Sequence, residues 1–97
     1  MRFAPILLLV FAAPAAAQSP VTPPDFQMPG GSGCAGEIAR YRAVQENDYR
    51  SGNEAKSVYA QVKREIDAAE RMCEAGQEAK ASVMIRASQA RHGYPAM

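Results

Sequence analysis

Cys34 and Cys73 bracket a proline-free stretch, rich in Ala, Glu, Arg, Gln and Lys, with Gly52 and Asn53 beside its midpoint. Such a composition favours helix throughout, and a helix broken at its midpoint brings its two ends together. The spacing therefore predicts an antiparallel helical hairpin whose open end is closed by a disulfide. Two cysteines permit one connectivity, and neither sits in a C-x-x-C redox pair or a C-x-x-C-H haem site. Disulfides persist in oxidising compartments, where small domains lean on them. In the chain-entropy model a loop of this length contributes roughly 4 kcal/mol. That rivals the roughly 3 to 5 kcal/mol that a core of this size supplies on its own.

The segment before the hairpin agrees with that compartment. Arg2 is followed by the apolar run Ile6 to Ala13 and by Ala15-Ala16-Ala17 ahead of Gln18. This is the pattern of a signal peptide over residues 1–17 with an A-x-A cleavage site. Pro14 and Gln18 end the run short of the roughly 20 apolar residues that a membrane span needs. Residues 18–33 carry Pro20, Pro23, Pro24, Pro29, Gly30, Gly31 and Gly33, which neither continue a helix nor pair into a sheet. A disordered linker is expected there, with Phe26 and Met28 the apolar side chains able to dock. The 11 basic residues exceed the 10 acidic ones by one, and Arg2 leaves with the signal. A chain of zero formal charge is a poor binder of nucleic acid or of anionic membrane.

The helical domain is expected over residues 34–94, with 95–97 as a tail. Ser32 can cap a first helix from about Gly33 to Tyr49, along which Glu46 and Arg50 form an i,i+4 pair. Ser51-Gly52-Asn53-Glu54 matches a capping box that would start the second helix directly. Ala55, Tyr59, Val62, Ile66, Ala69 and Cys73 then recur at helical spacing. With the cysteines fixing the register, Ile38 faces Ala69, Tyr41 faces Ile66, Gln45 faces Val62, and Asp48 can take a hydrogen bond from Tyr59. Ala75-Gly76 stops the second helix, and a third runs from about Gln77 to His92, ended by Gly93-Tyr94-Pro95. Folding back across Gly76 would set Val83 near Ala69, Ala90 near Val62 and Tyr94 near Val58. The expected fold is all-α: a disulfide-stapled hairpin plus a third helix, an up-down-up three-helix bundle.

Chemistry-bearing constellations are sparse. His92 has no second nitrogen or thiolate at usable spacing, and the paired cysteines are withdrawn from metal binding. Met28, Met72, Met84 and Met97 lack the clustered spacing of a cuprous site, so Met72 and Met84 are expected as core fillers. There is no G-x-S-x-G, H-E-x-x-H, P-loop or EF-hand loop. Ser88 lies one turn before His92 with no orienting acid nearby in sequence. No catalytic residue, cofactor or metal is expected. Tyrosine and arginine are enriched at interface hot spots, which makes Tyr49, Arg50, Arg86, Arg91, His92 and Tyr94 the candidate contact residues for a protein partner.

The stretch YRAVQENDYRSGNEAKSVYAQVKREIDAAERMCEAGQ, with the closing RASQARHGYP, resembles small secreted proteins of Gram-negative bacteria that share two cysteines and an HGYP ending. No activity attaches to that group, so the resemblance implies a compartment and a helical fold and identifies no site. The expectation for function is a small periplasmic or secreted non-enzymatic protein acting by protein contact, as an adaptor, inhibitor or envelope subunit. The alternative is a periplasmic carrier of a small ligand or metal, with a cavity between the third helix and the hairpin.

Overall fold

The computed structural model describes residues 26–97; the signal peptide expected over 1–17 and most of the linker, through residue 25, lie outside the described residues. Helix-favouring composition is interrupted where glycine can turn the chain, and three helices result: α1 (Gly33–Arg50), α2 (Lys56–Glu74) and α3 (Glu78–Arg91). Each packs on both of the others. Among the described residues no strand occurs, and no helix there is long and apolar enough to cross a membrane. The fold is an all-α three-helix bundle.

All three helices end the same way. Gly52, Gly76 and Gly93 sit one residue beyond the caps Ser51, Ala75 and His92 with positive φ. Each glycine N–H returns to a carbonyl three residues back, and the next N–H reaches five residues back: Asn53 to Asp48 at 2.9 Å, Gln77 to Met72 at 2.8 Å, and Tyr94 to Gln89 at 2.8 Å. This double return is the Schellman motif, which satisfies carbonyls that a helix end otherwise leaves open. At the first turn it displaces the expected capping box. Asn53 is consumed in closing α1, Ser51 caps that helix rather than opening the next, and α2 starts at Lys56 after Ala55 with no side-chain cap.

The start of α1 is capped from a distance. Ser32 occupies the N-cap position but its side chain makes no capping bond. The Glu78 carboxylate, from the first turn of α3, accepts the Cys34 N–H at 2.5 Å instead, placing negative charge where the helix dipole favours it. Ahead of it Gly31 lies against Gly36, and the Arg40 guanidinium donates to the Gly31 carbonyl at 2.8 Å.

The disulfide joins Cys34 near the start of α1 to Cys73 near the end of α2, with Cα atoms 5.9 Å apart. At the other end Tyr49 stacks on Tyr59 at 4.1 Å, so α1 and α2 run antiparallel. Contacts between α1 and the chain from α3 onward climb together, from Cys34 with Glu78, through Glu37 with Ser82 and Tyr41 with Ser88, to Asp48 with Tyr94. Those two helices are parallel.

The core holds Cys34, Ile38, Tyr41, Val62, Ile66, Ala69, Ala81 and Ile85, with Met72 and Met84 packed against it. At roughly 1.5 to 3 kcal/mol for each large apolar side chain, this is a small core, and Gln45, Asn47, Ser88 and Gln89 are buried beside it. The hairpin register stands: every member of its three inner layers is buried. Two other expectations are corrected. Asp48 does not pair with Tyr59, whose hydroxyl donates to Glu46; the phenol on Asp48 is that of Tyr94. The third helix is also rotated from the expected register. Ala81, Ile85 and Ser88 face inward, Val83 is 64% exposed, and Ala90 is exposed.

Candidate functional site

Glu65 on α2 gathers a polar cluster where α2 meets α3. Its Oε1 accepts from Ser88 Oγ at 2.5 Å and lies 3.2 Å from His92 Nε2, while Oε2 lies 3.1 Å from Gln61 Nε2 and 3.4 Å from Arg91 Nε. Burial pushes the Glu65 carboxyl up, but the hydrogen bonds from Ser88, Gln61 and Arg91 outweigh it and hold the group below its ordinary range. An ionised carboxylate only accepts. Ser88 must therefore spend its proton on Glu65, and Tyr41, 2.9 Å away, must donate to Ser88. By the same logic His92 carries hydrogen on Nε2.

Serine, histidine and acid thus meet, and Glu65 is the acid that sequence spacing did not bring to Ser88 and His92. Their order is nonetheless wrong for nucleophilic catalysis. Both Ser88 and His92 address the carboxylate, no base accepts the serine proton on the way to a substrate, and Ser88 is fully buried. The arrangement binds α3 to α2 and to Tyr41 of α1.

A second polar group closes the turn end. Tyr94 stands edge-on to Tyr41 with ring centroids 5.8 Å apart, and its hydroxyl donates to Asp48 Oδ2 at 2.5 Å. Burial and that bond both raise the Tyr94 hydroxyl far above the ordinary phenol range. The Gln45 amide is assigned with its NH2 toward the Glu54 oxygens at 2.9 and 2.6 Å and its oxygen 3.2 Å from the Tyr94 hydroxyl. One phenolic proton cannot serve two acceptors, and the shorter bond to Asp48 takes it. Burial, then the charge of Asp48, raise Glu54 above the ordinary carboxylate range.

The surface offers a groove of about 620 Å³ between α1 and α3, lined by Gly33, Glu37, Arg40, Glu78, Ala79, Ser82, Val83 and Arg86. Glu37 lies in it, accepting from Ser82 and pairing with Arg86 at 3.0 Å. Burial alone would raise the Glu37 carboxyl; bonds from Ser82 and Arg86 and the nearby charge of Arg40 reverse the sign and hold it low. Val83 supplies exposed apolar surface beside these ion-paired groups.

The six contact candidates do not form one patch. Arg86 lines the groove. Tyr49, half-buried against Tyr59, and exposed Arg50 lie at the hairpin turn. Arg91 and His92 are committed to Glu65, and Tyr94 to Asp48. Val83 was not among the candidates, because the consecutive apolar run Val83-Met84-Ile85 does not reveal which member turns outward. Comparison with protein-family models, curated proteins and solved structures finds no match.

Proposed function

We propose that this chain is a small periplasmic or secreted non-enzymatic protein that works by protein contact, as an adaptor, inhibitor or envelope subunit, through the α1–α3 groove. The apolar first segment, ending in Ala15-Ala16-Ala17, and the disulfide support the compartment. The observation that carries the contact reading is Val83: a large apolar side chain, 64% exposed, beside the Glu37–Arg86 ion pair in an open groove. An apolar centre rimmed by polar groups is the anatomy of an interface. Ser88, Glu65 and His92 are instead committed to one another where α3 meets α2.

A photo-crosslinking residue at position 83, compared with one at exposed Arg64 on α2, tests the proposal in the cell that makes the protein. A discrete covalent adduct at position 83 that is absent at position 64 is the expected result. Equal labelling at both positions, or none at either, would overturn it.

A further inference from the structure

We propose that the disulfide end of the bundle is also a redox-gated zinc site, in which Cys34, Cys73 and Glu78 bind one Zn²⁺ once the disulfide is reduced. The ligand atoms of these three residues already lie within 4.8 Å of one another, and a Glu78 oxygen is 3.1 Å from Cys34 Sγ. Tetrahedral zinc with Zn–S near 2.3 Å and Zn–O near 2.0 Å requires sulfur–sulfur separations of roughly 3.8 Å and sulfur–oxygen separations of roughly 3.5 Å. Small side-chain movements reach those values without moving the helices. Glu78 is not a loose surface acid, since the Cys34 backbone N–H holds its other oxygen at 2.5 Å.

Charge supplies the driving force. A dithiol reductant gives two electrons and two protons to the Cys34–Cys73 bond, leaving two thiols and its own disulfide. Two sulfurs and a carboxyl oxygen then share one small volume, and two thiolates beside the Glu78 carboxylate would be a triad of like charge that only a dication relieves. Zinc takes the two sulfurs and the Glu78 oxygen and releases the two thiol protons. Water completes the tetrahedron from the open side, where Glu78 is exposed and Cys73 half-buried. One end of the bundle thereby accepts either of two cross-links, a disulfide when oxidised or a metal when reduced.

The test uses the full domain reduced with a phosphine under argon and titrated with Co²⁺, then Zn²⁺. Thiolate-to-cobalt charge transfer and tetrahedral d–d bands saturating at one metal per chain, bleached by zinc and accompanied by recovery of far-ultraviolet helicity, are expected. Glu78→Gln should weaken cobalt binding by at least about tenfold, the loss that even a supporting partner of a metal ligand causes, while Glu74→Gln should leave it unchanged. The oxidised chain should give no bands. Absence of binding, two chains per metal, or equal affinity for Glu78→Gln and the unaltered chain would each overturn the site. Helicity of oxidised Glu78→Gln shows whether loss of the α1 cap, rather than of a ligand, has unfolded the variant.

Discussion

Replacing Glu65 with alanine should destabilise the bundle far more than any surface charge change. Ser88 and Tyr41 are fully buried, and their two hydroxyl protons are disposed of in series, Tyr41 to Ser88 and Ser88 to Glu65. Without the carboxylate the pair has two donors and only each other, so one buried donor is left unmet at roughly 1 to 3 kcal/mol. Loss of the charge-assisted bond itself brings the total to roughly 2 to 4 kcal/mol. In a domain of this size that lowers Tm by on the order of 10 to 25 °C. Arg91→Ala removes only the 3.4 Å pair to Glu65, between side chains 52% and 21% exposed, and should cost no more than about 1 kcal/mol.

Urea unfolding of the oxidised proteins, followed by circular dichroism, measures both variants. The pH dependence adds a second condition. Because Glu65 is held below its ordinary range in the folded state, its contribution is complete above the unfolded-state value and is lost as pH falls through the folded one. The gap between Glu65→Ala and the unaltered chain should therefore narrow on acidification. Equal costs for Glu65→Ala and Arg91→Ala at neutral pH would refute the assignment of Glu65 as the acceptor for a buried proton chain.

Three further outcomes follow from the same packing. Exchanging both Cys34 and Cys73 for serine should cost roughly 4 kcal/mol in the chain-entropy model, read as a fall in the urea midpoint. Glu54→Gln should be stabilising at neutral pH: burial and Asp48 raise the folded-state value of Glu54, so its stabilising neutral form is full below the ordinary carboxylate value and lost as pH rises through the raised one. That gain should vanish in acid, and a pH series of unfolding midpoints measures it. Gly36→Ala sets two effects against each other, since alanine is the better helix former by about 1 kcal/mol, yet a Cβ at Gly36 would strike the Gly31 carbonyl. Overpacking of that kind costs roughly 1 to 3 kcal/mol, so thermal unfolding should register a net loss.

Much of this fold was legible because its decisive signals are local. The cysteines set the α1–α2 register, which placed Ile38, Tyr41, Gln45, Val62, Ile66 and Ala69 inside, and Gly76 with His92-Gly93-Tyr94-Pro95 bounded α3 within a residue at each end. The turn misled because Ser51-Gly52-Asn53-Glu54 encodes both a helix stop and a helix start. The stop took Asn53, since closing α1 satisfies two carbonyls at once.

The rotation of α3 was not legible, for a physical reason. Its apolar residues form no clean stripe, and the inward position of Ser88 depends on an acid on the neighbouring helix, 23 residues back, rather than on hydrophobicity. Glu78 capping α1 across 44 residues is likewise a tertiary event. For the candidate site, Arg86 was anticipated and Val83 was not, because its exposure follows from the same rotation.

Both the outward Val83 and the buried proton chain require α3 to be docked in this one register. Amide hydrogen exchange on the oxidised protein, with nuclear Overhauser contacts from the Tyr41 ring, measures that docking directly. Protection of the Ala81, Ile85 and Ser88 amides comparable with that of Ile38 and Ile66, together with a contact between the Tyr41 and Tyr94 rings, is the result the account predicts. Free exchange along α3 beside a protected α1–α2 hairpin would contradict it.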